Sequence, residues 1–506
     1  MTRSKRFAHS LLSGYLLVGV NVLYTLITFP LGLHFLSNEE FGLWTAVMQV
    51  AGLNLILIDL GMSGSISRIL IDHKDEKNSS NYGTVILTGV LVLCVQAALI
   101  AALGSLFSFW LPDWMKIPEK FWRIFRILMI SQCLVLGAGY AGRIFGFILQ
   151  AHQRYDICNY LSAGGLALNF LTLWISFKLG FGLYSLLIAS IANAVFNILF
   201  SALAVQSFRL WPQKGYWGRP KRSVFRELFF YGSDLFLISI AQQLISFSSV
   251  PIISRTMGLE AVTIWSGAIK VFMLAQQMVY RIGDFSMGAL AEMLVRGERE
   301  RLKTRFRDIV ILTGTAATGA VALALCNQSF LTIWTSGKIS WNPANDLLMA
   351  ISFFVYATTR LSIVLAGMTK QIGAMKYIYF LEGAAFAGLS LFWGRTWGFQ
   401  GIIWSGIVTN VLFTGIYGAR RVTNYFDLRY SELLGDWLDR PIILFLTAGI
   451  TAFAFWIATE SLTASWRLAI NASSFGIIML FLFWKIGLPR HLRKEVTDRL
   501  RRKINQ

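Results

Sequence analysis

Charge is what this chain has least of. Asp, Glu, Lys and Arg make up 14% of its 506 residues, where a soluble globular chain carries about a quarter. Cysteine (four) and histidine (five) are scarce as well. Cys94, Cys133, Cys158 and Cys326 lie in or beside apolar runs, and no two stand at a redox or metal spacing. They read as small buried hydrophobes. His9, His34, His73, His152 and His491 are scattered over span ends and loops. None forms a pattern of His with a catalytic carboxylate or second ligand of the kind that acyl transfer or metal-assisted hydrolysis requires. Neither an enzyme nor a metal centre or cofactor is expected.

What fills the chain is apolar: 55% hydrophobic residues and a mean hydropathy of +0.58. The charges cluster, and between clusters run apolar stretches long enough to cross a hydrocarbon core, which takes about 20 helical residues. The pattern predicts an all-α polytopic membrane protein with about fourteen spans. They lie near 9–36, 41–66, 82–110, 122–149, 157–177, 181–206, 227–252, 260–290, 308–335, 347–369, 377–394, 399–419, 441–459 and 466–486. The first run is too long for a signal-peptide core and is read as a retained span. The longest connections, 207–226, 291–307 and 420–440, leave no room for a soluble domain.

The formal net charge is +20, which could suggest nucleic acid, but its distribution excludes that. With the N-terminus cytoplasmic, the inner segments carry 32 Lys/Arg and the outer segments with their flanks carry 9. That bias orients the chain with both termini inside. The excess is topogenic, with an accompanying affinity for anionic headgroups.

The chain also repeats itself. FPLGLHFLSNEEFGLWTAV (29–47) aligns without a gap on VPIISRTMGLEAVTIWSGA (250–268), matching Pro30 with Pro251, Glu39 with Glu260 and Trp44 with Trp265. LQAHQRYD (149–156) matches LAGMTKQI (365–372), and GFGL (180–183) matches GFQG (398–401). Arg143 and Arg360 fall at nearly the same offset. Ordered matches imply two six-span lobes. Each begins inside and holds an even number of spans, so the repeats are parallel. In transporters built this way the substrate path runs between the halves. The predicted organisation is a first lobe at 1–206, a basic linker at 207–226 and a second lobe at 227–420. A connection at 421–440, a last pair of spans at 441–487 and a basic tail at 488–506 follow.

The run PLGLHFLSNEEFGLW…LIDLGMSGSISR (30–68), with two six-span lobes and a terminal pair, resembles Wzx-type O-antigen flippases. These are the polysaccharide-transporter branch of the multidrug/oligosaccharidyl-lipid/polysaccharide exporter superfamily. The resemblance implies a bacterial inner-membrane flippase that moves an undecaprenyl-pyrophosphate-linked oligosaccharide to the outer leaflet by alternating access. It also implies membrane lipids and glycan-assembly proteins such as a polymerase as partners, a polyprenyl groove at the last two spans, and coupling to a sodium or proton gradient. Lipid II flippases share the layout but cluster arginines in spans 1, 2 and 8, where this chain has Asn21, Gln49 and Lys270. Multidrug exporters of the superfamily favour acidic cavities and twelve spans. A multidrug-type cation-coupled exporter and a non-transporting scaffold of a glycan-assembly complex are the alternatives.

Ionisable groups within spans mark function by default. In the eighth span Thr263, Ser266, Gly267, Lys270, Gln277, Arg281 and Asp284 share one helical face. Lys270 lies ten residues past Glu260, about 15 Å in, which is too deep to snorkel. Lys270, Arg143, Arg281 and Arg360 are the candidate cavity cations, with Asn21, Gln49 and Gln277 as polar lining. Arg281 and Asp284, three apart, would suit a pair with each other. Asp234, Glu382, Asp59, Asp284, Thr409 and Asn410 are the candidates for ion coupling.

A cysteine at 38 or 338 should react with an impermeant thiol reagent added outside intact cells, while one at 214 or 506 should not. Outside labelling of Lys214→Cys would overturn the topology.

Overall fold

The structure is a computed structural model that describes residues 3–75, 79–360, 363–365, 369, 373–489, 491, 493–494 and 497–498. Every regular element among the described residues is helical. Apolar runs in a bilayer have no water to bond their N–H and C=O groups, so each segment must pair its own. In chain order the helices are α1 (Arg3–Phe35), α2 (Asn38–Asp59), α3 (Met62–His73), α4 (Ser80–Trp114), α5 (Trp122–Ala141), α6 (Arg143–Ala151), α7 (Tyr155–Lys178) and α8 (Tyr184–Ser207). Then come α9 (Arg222–Met257), α10 (Leu259–Ala268), α11 (Lys270–Val295), α12 (Arg299–Ala317), α13 (Ala320–Trp334) and α14 (Pro343–Thr359). The chain closes with α15 (Met375–Trp397), α16 (Phe399–Asn410), α17 (Ile416–Phe426), α18 (Asp439–Ala458), α19 (Ala464–Ile470) and α20 (Gly476–Leu482).

Among the described residues, eleven helical segments are long and apolar enough to cross a membrane, and the bent pair α10–α11 makes a twelfth. The 36-residue α9 and the 23-residue α15 occupy the places of the seventh and eleventh predicted spans. The protein is a polytopic helical membrane protein. Its surface agrees: along α18, Ile443, Leu446, Ile450, Phe453 and Ile457 are all exposed. Spacings of three and four put them on one stripe that suits lipid.

Contacts divide the chain into two compact units, Met1–Thr263 and Ile264–Gln506. In the first, α4 packs on α5, α7 on α8 and on α1, and α2 lies against α4, α5 and α9. The tight turn before α2 is set by sequence. Ser37 accepts from the Glu40 N–H at 3.2 Å, and Glu40 Oε2 accepts from the Ser37 N–H at 2.9 Å, so two free helix-end donors are satisfied at once. The basic linker is tied down, too. Tyr82 donates to Leu210 O at 3.1 Å, and the Lys221 N–H donates to Thr88 at 3.2 Å.

In the second unit α11 packs on α12, α13 on α14, and α15 on α16, with α16 also against α14. The last span pair lies on α12 and α13. Phe306, Phe426 and Trp437 close a buried aromatic cluster at one end, with ring centroids 5.2 to 6.1 Å apart.

Several spans expected to be continuous are interrupted, three of them beside ionisable residues. The second, predicted over 41–66, stops at Asp59. Leu60 (φ 49°) and Gly61 (φ 72°) turn left-handed before α3 restarts at Met62. Gly61 takes that conformation without a Cβ penalty. The freed carbonyls of Ile58 and Asp59 accept from Gln96 Nε2 of α4 at 2.8 and 2.9 Å. The fourth span is interrupted at Gly142. The eighth, predicted over 260–290, breaks at Ile269 and bends by 43°. Apolar periodicity runs straight through each break, because it registers burial and not backbone pairing.

Gly42 of α2 permits the closest backbone approach in the first unit: a Cβ there would stand 2.0 Å from Leu259 O. Gly42→Ala should therefore cost about 1–3 kcal/mol, as overpacking does, and lower the thermal unfolding midpoint of purified protein. Gly449→Ala, whose Cβ would meet nothing within 4 Å, is the control and should not lower it.

Candidate functional site

In the first unit, the break after Asp59 builds a charged cluster. Asp59 stands where the new helix begins, and its Oδ1 accepts from the Ser63 N–H at 3.2 Å and from Ser63 Oγ at 2.5 Å. The Tyr140 hydroxyl, from α5, donates to the same oxygen. Arg143, one turn further along the fourth span, lies over the Tyr140 ring at 4.7 Å and donates to Ser63 Oγ at 3.4 Å. Its guanidinium is exposed while its polar neighbours hold it in place.

The second unit builds a counterpart from corresponding spans. Arg360, just past α14, reaches Asp284 of α11 at 3.4 Å and lies over the Tyr280 ring at 4.2 Å. In each unit an arginine of the lobe's fourth span meets a carboxylate-bearing cluster on its second, with a tyrosine ring under the cation. Asp284 therefore faces Arg360 rather than Arg281, since the end of α14 brings a planar guanidinium to it. Both side chains remain reachable, at 26% and 37% exposure.

Lys270 is different. It is the first residue of α11, immediately past the break, and it is half-buried. Among the described residues it has no ion pair and no hydrogen bond. Arg281 is exposed on the same helix, likewise without an ion pair among the described residues, and Gln277 is exposed. In the first unit Asn21 is exposed on α1, and Gln49 of α2 is half-buried, with its Oε1 unpartnered. The side chain of Asp234 lies outside the described residues.

Glu382 is the most enclosed carboxylate of the predicted set, at 1% exposure. It sits on α15 and accepts from Asn410 Nδ2 at 2.9 Å and from the Thr414 N–H at 3.2 Å. The Thr414 hydroxyl also donates to it. Asn410 Oδ1 accepts in turn from Thr359 of α14 at 2.8 Å. Residues Val411–Gly415 form a π turn between α16 and α17. Such wide turns displace the backbone ladder and recur at functional sites, and here one frees the Thr414 amide for a side-chain acceptor. Thr409 does not join the cluster: its hydroxyl donates to Ser405 O at 2.8 Å. Sequence reading missed Thr414, although its spacing of four from Asn410 puts it on the same face. It also missed Tyr140, three residues before Arg143.

The last spans contribute an apolar groove of about 510 Å³, lined by residues that include Thr315, Gly319, Gly476, Ile477, Leu480 and Phe483. It lies between α12 and the C-terminal segment, within the second unit. No group of three or more potential metal ligands exists among the described residues.

The family model described as "Polysaccharide biosynthesis protein" matches residues 10–285, and the chain belongs to that family, within the multidrug/oligosaccharidyl-lipid/polysaccharide exporter superfamily. It is a membrane transporter and not an enzyme. Among proteins with curated descriptions, none matches the sequence. Solved structures share the fold. The lipid II flippase MurJ, in an inward closed conformation, matches over 94% of this chain and 97% of its own, with a TM-score of 0.69 and 11% identity. An inward-facing multidrug resistance MATE family transporter matches over 79% and 95%, with a TM-score of 0.65 and 13% identity. The Vibrio cholerae MATE transporter VcmN, in its bent form, matches over 84% and 99%, with a TM-score of 0.53 and 14% identity.

Proposed function

We propose that this transporter is a flippase for a polyprenyl-diphosphate-linked oligosaccharide, an O-antigen, capsule or exopolysaccharide unit. It carries the unit from the inner to the outer leaflet of the bacterial inner membrane by alternating access, with both termini cytoplasmic. The observation that carries the reading is Lys270: a cation deep in a span, at a helix break, left unpaired among the described residues. Keeping an isolated charge at such a depth is expensive, and an anionic headgroup would offset that cost when it arrives. The ammonium is a compact, single-point partner that suits release as well as capture. Arg143 and Arg360, each tempered by its own carboxylate and tyrosine, are second-rank partners for phosphate. The apolar groove beside α12 offers a place for the polyprenyl tail.

A cationic drug would find no favourable partner in Lys270, which argues against the multidrug alternative. Membrane potential favours outward movement of the diphosphate by about 2.3 kcal/mol per charge per 100 mV. We further propose that Glu382 carries the coupling proton. One carboxylate met by amide and hydroxyl groups suits a proton better than a metal ion. A polymerase and other glycan-assembly proteins would receive the product.

Two experiments on purified protein in liposomes test these readings. Lys270→Ala should keep its thermal stability and lose at least about tenfold of its flipping rate, the effect of about 1.4 kcal/mol, whereas Lys270→Arg should keep part of it. A stable, fully active Lys270→Ala protein would exclude the headgroup role. Glu382→Gln should abolish the response of flipping to an imposed pH gradient while sparing the response to membrane potential. An unchanged pH response would remove Glu382 from coupling.

A further inference from the structure

A second buried carboxyl lies in the same unit, at the end opposite the cytoplasmic loops of the proposed topology. Asp346, in the first turn of α14, is 1% exposed. Its Oδ1 accepts from Asn327 Nδ2 of α13 at 2.7 Å and from the Trp341 indole N–H at 2.9 Å. Its Oδ2 is buried and has no hydrogen-bond partner among the described residues. Two donors on one oxygen and none on the other suits a neutral acid, whose carbonyl oxygen takes both donors, better than a carboxylate. An ionised carboxylate would leave a charged oxygen bare, at a cost of several kcal/mol.

Asn327 does two things with one nitrogen. Besides Asp346 it donates to Ala268 O at 3.1 Å, the last carbonyl of α10 before the break that precedes Lys270. Trp341 packs on Trp265 and Phe399, with centroids 6.3 and 5.2 Å away. The carboxyl thus holds both the amide that caps the break and the indole that covers it.

We propose that Asp346 is a proton-binding site that governs the break in the eighth span. The proton resides on Oδ2 and leaves to water at the face carrying the 335–342 loop. Once ionised, Oδ2 recruits the donor already in contact with the group, the second N–H of Asn327. Ala268 O then loses its cap, and the backbone beside Lys270 is released. The charged and titratable groups of the surrounding elements are few. α13 contributes Cys326, α16 contributes none, α10 carries Glu260 in its first turn, α18 carries Asp439 and Arg440 at its start, and the covering loop contributes Lys338. α11 brings Lys270 nearest, with Tyr280, Arg281, Asp284 and Glu292 one or more turns deeper, and α14 adds Tyr356. The α12 charges, Arg299 to Asp308, stand at its far end. Arg467 of α19 is engaged with Gln328 at 3.4 Å. None of them forms an ion pair with Asp346 among the described residues. Release of the break matters for transport only through Lys270 and so rests on the headgroup reading, but the proton site does not.

The test is infrared difference spectroscopy of the full chain in phosphatidylethanolamine/phosphatidylglycerol liposomes without substrate, between acidic and alkaline pH. In a Glu382→Gln background, a protonated-carboxyl carbonyl band should bleach on alkalinisation, vanish in Asp346→Asn and shift in Asp346→Glu. Should Asp346→Asn fail to fold, Asp346→Glu and aspartate isotope labelling assign the band. Hydrogen exchange of residues 266–275 should rise roughly fivefold on ionisation beyond the chemical pH effect, the loss of about one hydrogen bond, and should not rise in Asp346→Asn. No Asp346-dependent band at any pH overturns the proton site, as does sodium-dependent stabilisation lost in Asp346→Asn in place of the band. A bleaching band without the exchange change overturns control of the break. If these results hold while Lys270→Ala flips normally, the headgroup reading fails and the proton site stands.

Discussion

The architecture depends on one requirement: a carbonyl or amide placed in hydrocarbon must find a partner inside the protein. Unbroken helices meet it alone, which is why the chain is helical from end to end of the described residues. At two of the helix breaks a side-chain amide replaces the ladder. Gln96 of α4 covers the carbonyls at the Asp59 break, and Asn327 of α13 covers the one at Ala268. Both amides come from the third span of their lobe, and both serve a break in the second. The breaks lie at different depths, after 22 residues in α2 and after 10 in α10. Each break sets down an ionisable residue beside it.

Those residues are treated in opposite ways. Arg143 and Arg360 are each held by a tyrosine face and a carboxylate-bearing cluster, so their charge is already partly answered. Lys270 is left unanswered among the described residues. A charge with internal partners is cheap to keep and weak for capture, while an isolated one is the reverse. The contrast distinguishes the three cations by partnership and not by depth alone.

The carboxyl groups follow the same logic. Asp59 draws its donors from a helix start and a tyrosine, and it remains part-buried. Glu382 is enclosed, and both its oxygens are met by donors, one of them freed by a π turn. Asp346 is enclosed with one oxygen bare. The three carboxyls thus differ in how many donors meet each oxygen.

The sequence alone determined the class. Scarce charge and long apolar runs admit only helices across a bilayer, and the repeated corners at 29–47 and 250–268 predict equivalent spans with equivalent arginines. Individual polar positions such as Lys270, Arg143, Arg360, Glu382 and Asn410 were also legible, because a charge or amide inside an apolar run stands out against its neighbours. What the tertiary structure decided was partnership. Nothing local says that Asp284 answers Arg360 and not Arg281 three residues away, or that Thr409 turns to its own backbone while Thr414 turns to Glu382. Nor does it say that Asn327 and Asp346, 19 residues apart, share a hydrogen bond. Those outcomes depend on which helix faces meet and where the backbone breaks. Hydrophobic periodicity does not encode them, since it reports only which side of a helix avoids water.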